Sequence, residues 1–199
     1  MSKVIIFSAP SGAGKTTIGR STFKKIPELV FSISATTRER RGVEKDGVDY
    51  FFISESEFKK KIELDEFVEW ETFYGYYYGT LKNFINATLE NNKSVVLEVD
   101  VKGALKIKKE YPEAIGIFIK PPSIKELKNR LRNRKTESNE DLVKRIERAE
   151  MEIGYQKYFD YVVVNQDLGV AVKQVLSIIE AHPCRLDLFK KEQINKLTR

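Results

Sequence analysis

The run Ser8-Ala9-Pro10-Ser11-Gly12-Ala13-Gly14-Lys15-Thr16-Thr17 sets two glycines, a lysine and two threonines within ten residues. Backbone N–H groups curl around phosphate oxygens where the chain adopts unusual dihedrals, which Gly12 and Gly14 permit. Lys15 would bring a cation to the β- and γ-phosphates, and the Thr16 hydroxyl suits Mg²⁺. Val4-Ile5-Ile6-Phe7, just upstream, is an apolar run fit for a buried strand. A helix predicted over residues 16–25 would aim its N-terminus at the same anion. A plain glycine turn beside an ordinary lysine is the alternative, and the strand-loop-helix context disfavours it. Ala9 stands where such a loop commonly opens with glycine. It precedes proline, so extended geometry is expected there, which alanine accepts; a left-handed backbone would cost it about 1 kcal/mol or more.

A second constellation narrows the chemistry. Ser34-Ala35-Thr36-Thr37-Arg38-Glu39-Arg40-Arg41-Gly42 carries three arginines in four positions, and the planar guanidinium fork matches phosphate oxygens. A solvated basic loop is the bland reading of the same residues. Tyr50, Tyr74, Tyr76, Tyr77 and Tyr78 follow. Tyrosine hydroxyls can bond phosphate while the rings pack, although most of these aromatics fit a core. In a strand, Tyr74, Tyr76 and Tyr78 would share one face. Glu69 sits inside the apolar and aromatic strand Phe67-Val68-Glu69-Trp70. Guanine offers adjacent N1–H and N2–H₂ donors that one carboxylate can accept together, but a half-exposed strand also carries glutamate.

These residues need a frame. Strands are expected at 4–7, 31–34, 50–53, 67–70, 74–78, 94–100, 114–119 and 161–164. Helices are expected at 16–25, 55–64, 81–89, 102–110, 123–134, 140–155 and 169–181. Ser54…Glu57 and Ser123…Glu126 read as capping boxes. The β-α-β order with insertions predicts an α/β chain, a three-layer fold with a central parallel sheet wrapped by helices. We expect a core of residues 1–33, 81–124 and 156–199, an inserted mostly-β lobe of residues 34–80, and a helical lid of residues 125–155.

The bulk numbers allow this. The chain has 199 residues, 41% hydrophobic and 32% charged, with net charge +6 from 35 basic and 29 acidic side chains. Dispersed positive charge favours anionic partners without a nucleic-acid tail. No apolar run is long enough to span a membrane or act as a secretory signal. The single Cys184 rules out an intramolecular disulfide. The lone His182, beside Pro183, reads as a surface residue. A cytoplasmic protein is expected.

The motifs together resemble the guanylate kinases. They are residues 8–17, Ser34-x-Thr36-Thr37-Arg38-x-x-Arg41-x-Gly42, Gly47-x-Asp49-Tyr50-x-Phe52, Phe67-x-Glu69-Trp70, Tyr77-Tyr78-Gly79-Thr80, Glu98-Val99-Asp100-x-x-Gly103, Pro121-Pro122-Ser123, Arg130 to Arg134, and Val164-Asn165. They span about residues 3 to 180, in the order and spacing of that family.

The resemblance implies reversible phosphoryl transfer from Mg·ATP to GMP or dGMP in purine metabolism, giving ADP and GDP. It implies that the 34–80 lobe binds GMP. Arg38, Arg41, Tyr50 and Tyr78 would hold the GMP phosphate. Glu69 and Asp100 would read the guanine edge, with Ser34 and Thr80 near O6. Ser11, Gly12, Ala13, Gly14, Lys15, Thr16 and Thr17 would hold ATP phosphates, with Asn165 in the adenine-side pocket. Mg²⁺ would sit at Thr16, with Glu98 acting through water. Lys15, Arg38, Arg130, Arg134 and Arg145 would stabilise the transferring group. Arg132 and Arg148 stay neutral, as ordinary members of a charged surface. The chain departs from the family pattern at Ala9, at Glu98 where aspartate is usual, at Lys135 for glycine and at Gln166 for aspartate. Partners would be the two nucleotides, with no nucleic acid or membrane, in a monomer or homodimer. Two rivals stand beside this reading. One is a kinase for another small acceptor, the other a non-enzymatic module gripping a phosphopeptide.

Overall fold

The computed structural model describes residues 2–26, 28–73, 75–132 and 139–181. Tyr74, Arg134, Lys135, His182, Cys184 and the 185–199 tail lie outside the described residues.

Three strands form the centre of the molecule because their sequences are apolar on both faces. They are β1 (Val4–Ser8), β7 (Ser94–Glu98) and β8 (Ile115–Lys120). Unbroken apolar runs suit parallel strands covered on both sides. With β2 (Leu29–Phe31) and β9 (Tyr161–Val164) they make a parallel five-stranded sheet in the order β2-β7-β1-β8-β9. Alternation along the strands splits the core into two layers. Ile5, Phe7, Val96, Ile117 and Ile119 join Ile18 of α1 (Lys15–Phe23) and Val172 and Val175 of α7 (Leu168–Ala181). Val4, Ile6, Val95 and Leu97 face the other way, onto Ile85 of α3 (Lys82–Glu90) and Ile107 of α4 (Val101–Glu110).

The expected strand over 31–34 is corrected. Strand β2 ends at Phe31, and β3 (Ala35–Thr36) begins a second sheet. The Ser32 N–H still donates to Val96 O at 2.9 Å, while Ser34 O already accepts from Phe51 N at 2.9 Å. The chain therefore changes sheets within three residues. The second sheet runs β4-β3-β6-β5, with β4 (Phe51–Phe52), β5 (Phe67–Phe73) and β6 (Tyr76–Leu81). Helix α2 (Glu55–Glu63) covers it, placing Phe58 on Phe67 with ring centroids 4.3 Å apart. Both expected capping serines cap: Ser54 Oγ accepts from Glu57 N, and Ser123 Oγ from Glu126 N, each at 3.1 Å. Helices α5 (Ile124–Arg132) and α6 (Asn139–Gly154) pack on each other through Leu127, Leu131 and Ala149.

Candidate active site

The C-terminal ends of β1 and β7, the glycine loop, the β5–β6 hairpin and α6 enclose a cleft of about 680 Å³. Clefts at strand C-termini of open α/β sheets are the usual ligand positions, and this volume admits a nucleotide-sized ligand.

At one end lies the loop. Gly14, at φ 93°, is left-handed and precedes α1 directly. A Cβ there would also collide with the Asn165 amide. Ala9 avoids the left-handed region, as expected, and packs 8% exposed in the core. Ser11, Gly12, Gly14, Lys15, Thr16 and Thr17 line the cleft. Ala13 does not: it is fully buried, and its N–H donates to Pro10 O at 3.1 Å. The Lys15 ammonium donates to Val99 O at 3.0 Å. Burial pushes its pKa down, opposed by the charges of Glu98 and Asp100. Thr16 Oγ1 donates to Glu98 Oε2 at 3.1 Å. The longer Glu98 fits because Gly19 of α1 leaves room; a Cβ there would collide with Glu98 Oε1.

At the other end, Glu69 and Asp100 meet over the first turn of α4. Thr80 Oγ1 donates to Glu69 Oε1 at 2.6 Å, and Glu69 Oε2 lies against Gly103. Gly103 N donates to Asp100 Oδ1 at 2.8 Å, so Asp100 is also the helix cap. Burial pushes the Glu69 carboxyl up, against the Thr80 bond. Ser34, Glu69, Asp100, Tyr50 and Tyr78 all line the cleft.

Arg38 stands behind the two tyrosines, 6% exposed, with its guanidinium over Tyr50 and Phe52 at 5.3 and 5.7 Å. Its end-on fork is taken by Glu44: Nη1 to Oε2 at 2.9 Å and Nη2 to Oε1 at 2.8 Å. Nη1 also donates to Glu39 O at 2.7 Å. Glu44 Oε2 accepts the Arg41 N–H as well, at 2.8 Å. This pairing holds Glu44 down to about 2 and raises Arg38, so the pair stays ionised until pH falls toward that value. Glu44 was invisible to motif reading, being one acid in a charged loop.

Three more of the expected residues stand off the cleft lining here. Asn165 is not on the cleft wall; its Nδ2 donates to Ala13 O at 2.7 Å, bracing the loop from beneath. Arg130 pairs with Glu126 at 3.0 Å and Asn165 O at 3.2 Å, away from the cleft lining. Arg41 is exposed and touches the site through its backbone. Arg145 does line the cleft. So does Arg148, which motif reading left neutral. Its Nη2 reaches Asp100 Oδ2 at 3.2 Å, and its Nε reaches Glu152 Oε1 at 2.9 Å.

Burial first, then the neighbouring Asp100, push Glu71 up to about 7 from its ordinary 4.5. A carboxyl raised on folding stabilises fully below its unfolded value and loses that contribution as pH rises through the folded value. Glu71→Gln is therefore expected to match wild type near pH 4. Discounting for its half-exposed position, it should be more stable by about 1 kcal/mol at pH 8. Thermal melts across pH, where that amounts to about 2–4 °C, check it.

A family profile described as guanylate kinase matches residues 1–182. The chain belongs to the guanylate kinase family. The guanylate kinase of Caldanaerobacter subterraneus subsp. tengcongensis is 50% identical over 187 residues, covering 94% of this chain and 91% of that one. That of Thermotoga maritima is 42% identical over 184 residues, covering 92% and 89%. The crystal structure of guanylate kinase from Anaplasma phagocytophilum superposes with TM-score 0.72 at 28% identity, over 90% of this chain and 85% of that one. The resemblance read from the motifs is thus borne out for a guanylate kinase fold. No helix among the described residues is long and apolar enough to cross a membrane.

Proposed function

We infer that the cleft transfers the γ-phosphoryl group of ATP to GMP, giving ADP and GDP. The observation that carries this is that the Lys15 loop and the Glu69–Asp100 pair line one cleft. GMP would lie with its base on those carboxylates and its phosphate toward Tyr50, Tyr78 and Arg38. ATP phosphates would occupy the loop from Ser11 to Thr17. An acceptor phosphate is already anionic, so no strong base is required, and catalysis rests on alignment and charge neutralisation. Lys15 and Arg145, both lining the cleft, supply that charge. The hard oxygens of Thr16 and Glu98, already bonded to each other, fit a Mg²⁺ ion arriving with ATP. When bound it would neutralise developing charge on the phosphates. The division into core, 34–80 lobe and 125–155 lid gives the cleft movable walls, whose closure excludes water as a competing acceptor.

The test is ADP release with Mg·ATP and, separately, GMP, AMP, UMP, CMP and dTMP, for wild type and Glu69→Gln. Wild type should turn over GMP selectively. The variant should raise the GMP KM about tenfold and leave that for ATP unchanged, having lost a charged acceptor. Equal losses for both nucleotides would refute the base assignment.

A further inference from the structure

Helix α6 does more than present Arg145. Two of its residues, one turn apart, touch both ends of the cleft. Glu152 is 4% exposed; its carboxylate accepts from Arg148 Nε at 2.9 Å and lines the cleft with Ser11 of the phosphate loop, whose backbone N–H helps keep it charged against burial. Arg148 continues the connection: Nη2 reaches Asp100 Oδ2 at 3.2 Å and lies 3.9 Å from Glu71 Oε2. The guanidinium sits over the Phe73 ring at 5.3 Å, at the end of β5. A chain of charge-assisted contacts therefore runs from Glu152, beside Ser11 in the cleft, through Arg148 to Asp100. It joins three separate elements, the glycine loop, α6 and the α4 cap.

A surface salt bridge would contribute little. This one differs because Glu152 is nearly inaccessible and its carboxylate is held by Arg148 at 2.9 Å. The arginine has several donors in one rigid plane, so moving one contact turns the others. Coupling between sites requires a physical element that both ligands bias, and this path touches a group from each.

We propose that Arg148 is a positioning residue that couples the two nucleotide subsites. It holds Asp100 in place for the acceptor base and ties that carboxylate, through Glu152, to the loop holding the donor phosphates. The proposal rests on the assignment of Asp100 to the guanine edge. Ordering the loop with ATP fixes Glu152, hence Arg148, hence Asp100, so the second nucleotide meets a preorganised site. By linkage the effect is the same in both directions.

The experiment is calorimetric titration of GMP, with and without Mg²⁺ and a non-hydrolysable ATP analogue, for wild type, Arg148→Met and Arg148→Lys. Methionine keeps a flexible stem against Phe73 and removes the fork; lysine restores charge without the fork. Wild type should bind GMP about fivefold or more tightly when the analogue is present. Arg148→Met should lose that factor, while its affinity for the analogue alone stays within about twofold of wild type. Arg148→Lys should recover less than half of the coupling. Melting curves confirm that each variant folds.

Wild-type binding of GMP with no coupling, or unchanged coupling in Arg148→Met, overturns the proposal and leaves the site assignment standing. Equal weakening of both nucleotides in Arg148→Met makes the residue a general support of the cleft and also overturns it. Failure of wild type to bind GMP would instead remove the base assignment, and this proposal with it.

Discussion

Replacing Glu44 with alanine is expected to lower kcat/KM for GMP about a hundredfold while leaving the KM for ATP unchanged. A guanidinium has five N–H donors. In Arg38, three are committed: both to Glu44 along the end-on fork, and one to Glu39 O. The Arg38 side chain also bonds that of Tyr78, so the remaining donors are shared with this tyrosine. Glu44 thus fixes which edge Arg38 turns toward Tyr78 and the proposed phosphate position. The same carboxylate holds the Arg41 backbone N–H, so the turn that follows Arg38 depends on it as well. An opposing effect exists, since a carboxylate behind an arginine repels an incoming phosphate. Bracing outweighs it because Arg38 is nearly inaccessible and its plane is set by Tyr50 and Phe52 as well. Steady-state kinetics with varied GMP decides the matter. A lower KM in Glu44→Ala would mean that Glu44 acts as a competitor. Glu44→Gln, which keeps an acceptor and the shape, should fall between the two.

Gly19→Ala is expected to reduce kcat by about ten- to a hundredfold in a protein that is no less stable. In a helix interior this substitution ordinarily stabilises by about 1 kcal/mol. Here the added methyl would collide with Glu98 Oε1, the flexible end of a side chain, which would swing away. The cost then falls on the bond from Thr16 Oγ1 to Glu98 Oε2 and on the oxygens proposed for Mg²⁺. Shortening the acid relieves the clash. Glu98→Asp combined with Gly19→Ala should recover most of the lost turnover, a non-additive pair of the kind shared contacts produce. Full activity in Gly19→Ala, or a double variant no better than the single one, would show that Gly19 does not act through Glu98.

The positions of the glycine loop and of Glu69 on one cleft were legible in the sequence because their residue types stand out in short consecutive runs. The parallel sheet was legible for a similar reason, since Val4–Phe7, Val95–Leu97 and Ile115–Ile119 carry buried runs without a polar side chain. Other features depend on packing across long separations. Arg148 and Glu152 are an i,i+4 pair, indistinguishable in sequence from the solvated pairs of any charged helix; only the approach of α6 to Asp100 sets them apart. Gly19 looks like a weak residue in a helix until β7 brings Glu98 against it. Asn165 and Arg130 were placed in the cleft by motif alone. In the structure their hydrogen bonds point at the back of the loop and at each other. The Ser32–Ser34 segment alternates like a strand, and local pattern does not reveal that it leaves one sheet for another.

The bond between Asn165 and Ala13 also bears on how the chain acquires its shape. It joins residues 152 apart in sequence. Contacts of such separation close late, after loop entropy has been overcome by other packing. The glycine loop emerges early in synthesis, yet its brace hangs from the end of β9, the edge strand added beyond β8. A nascent chain that has made the glycine loop but not β9 lacks the underside of its phosphate grip. Nucleotide binding at that loop therefore reports on completed folding of the whole sheet.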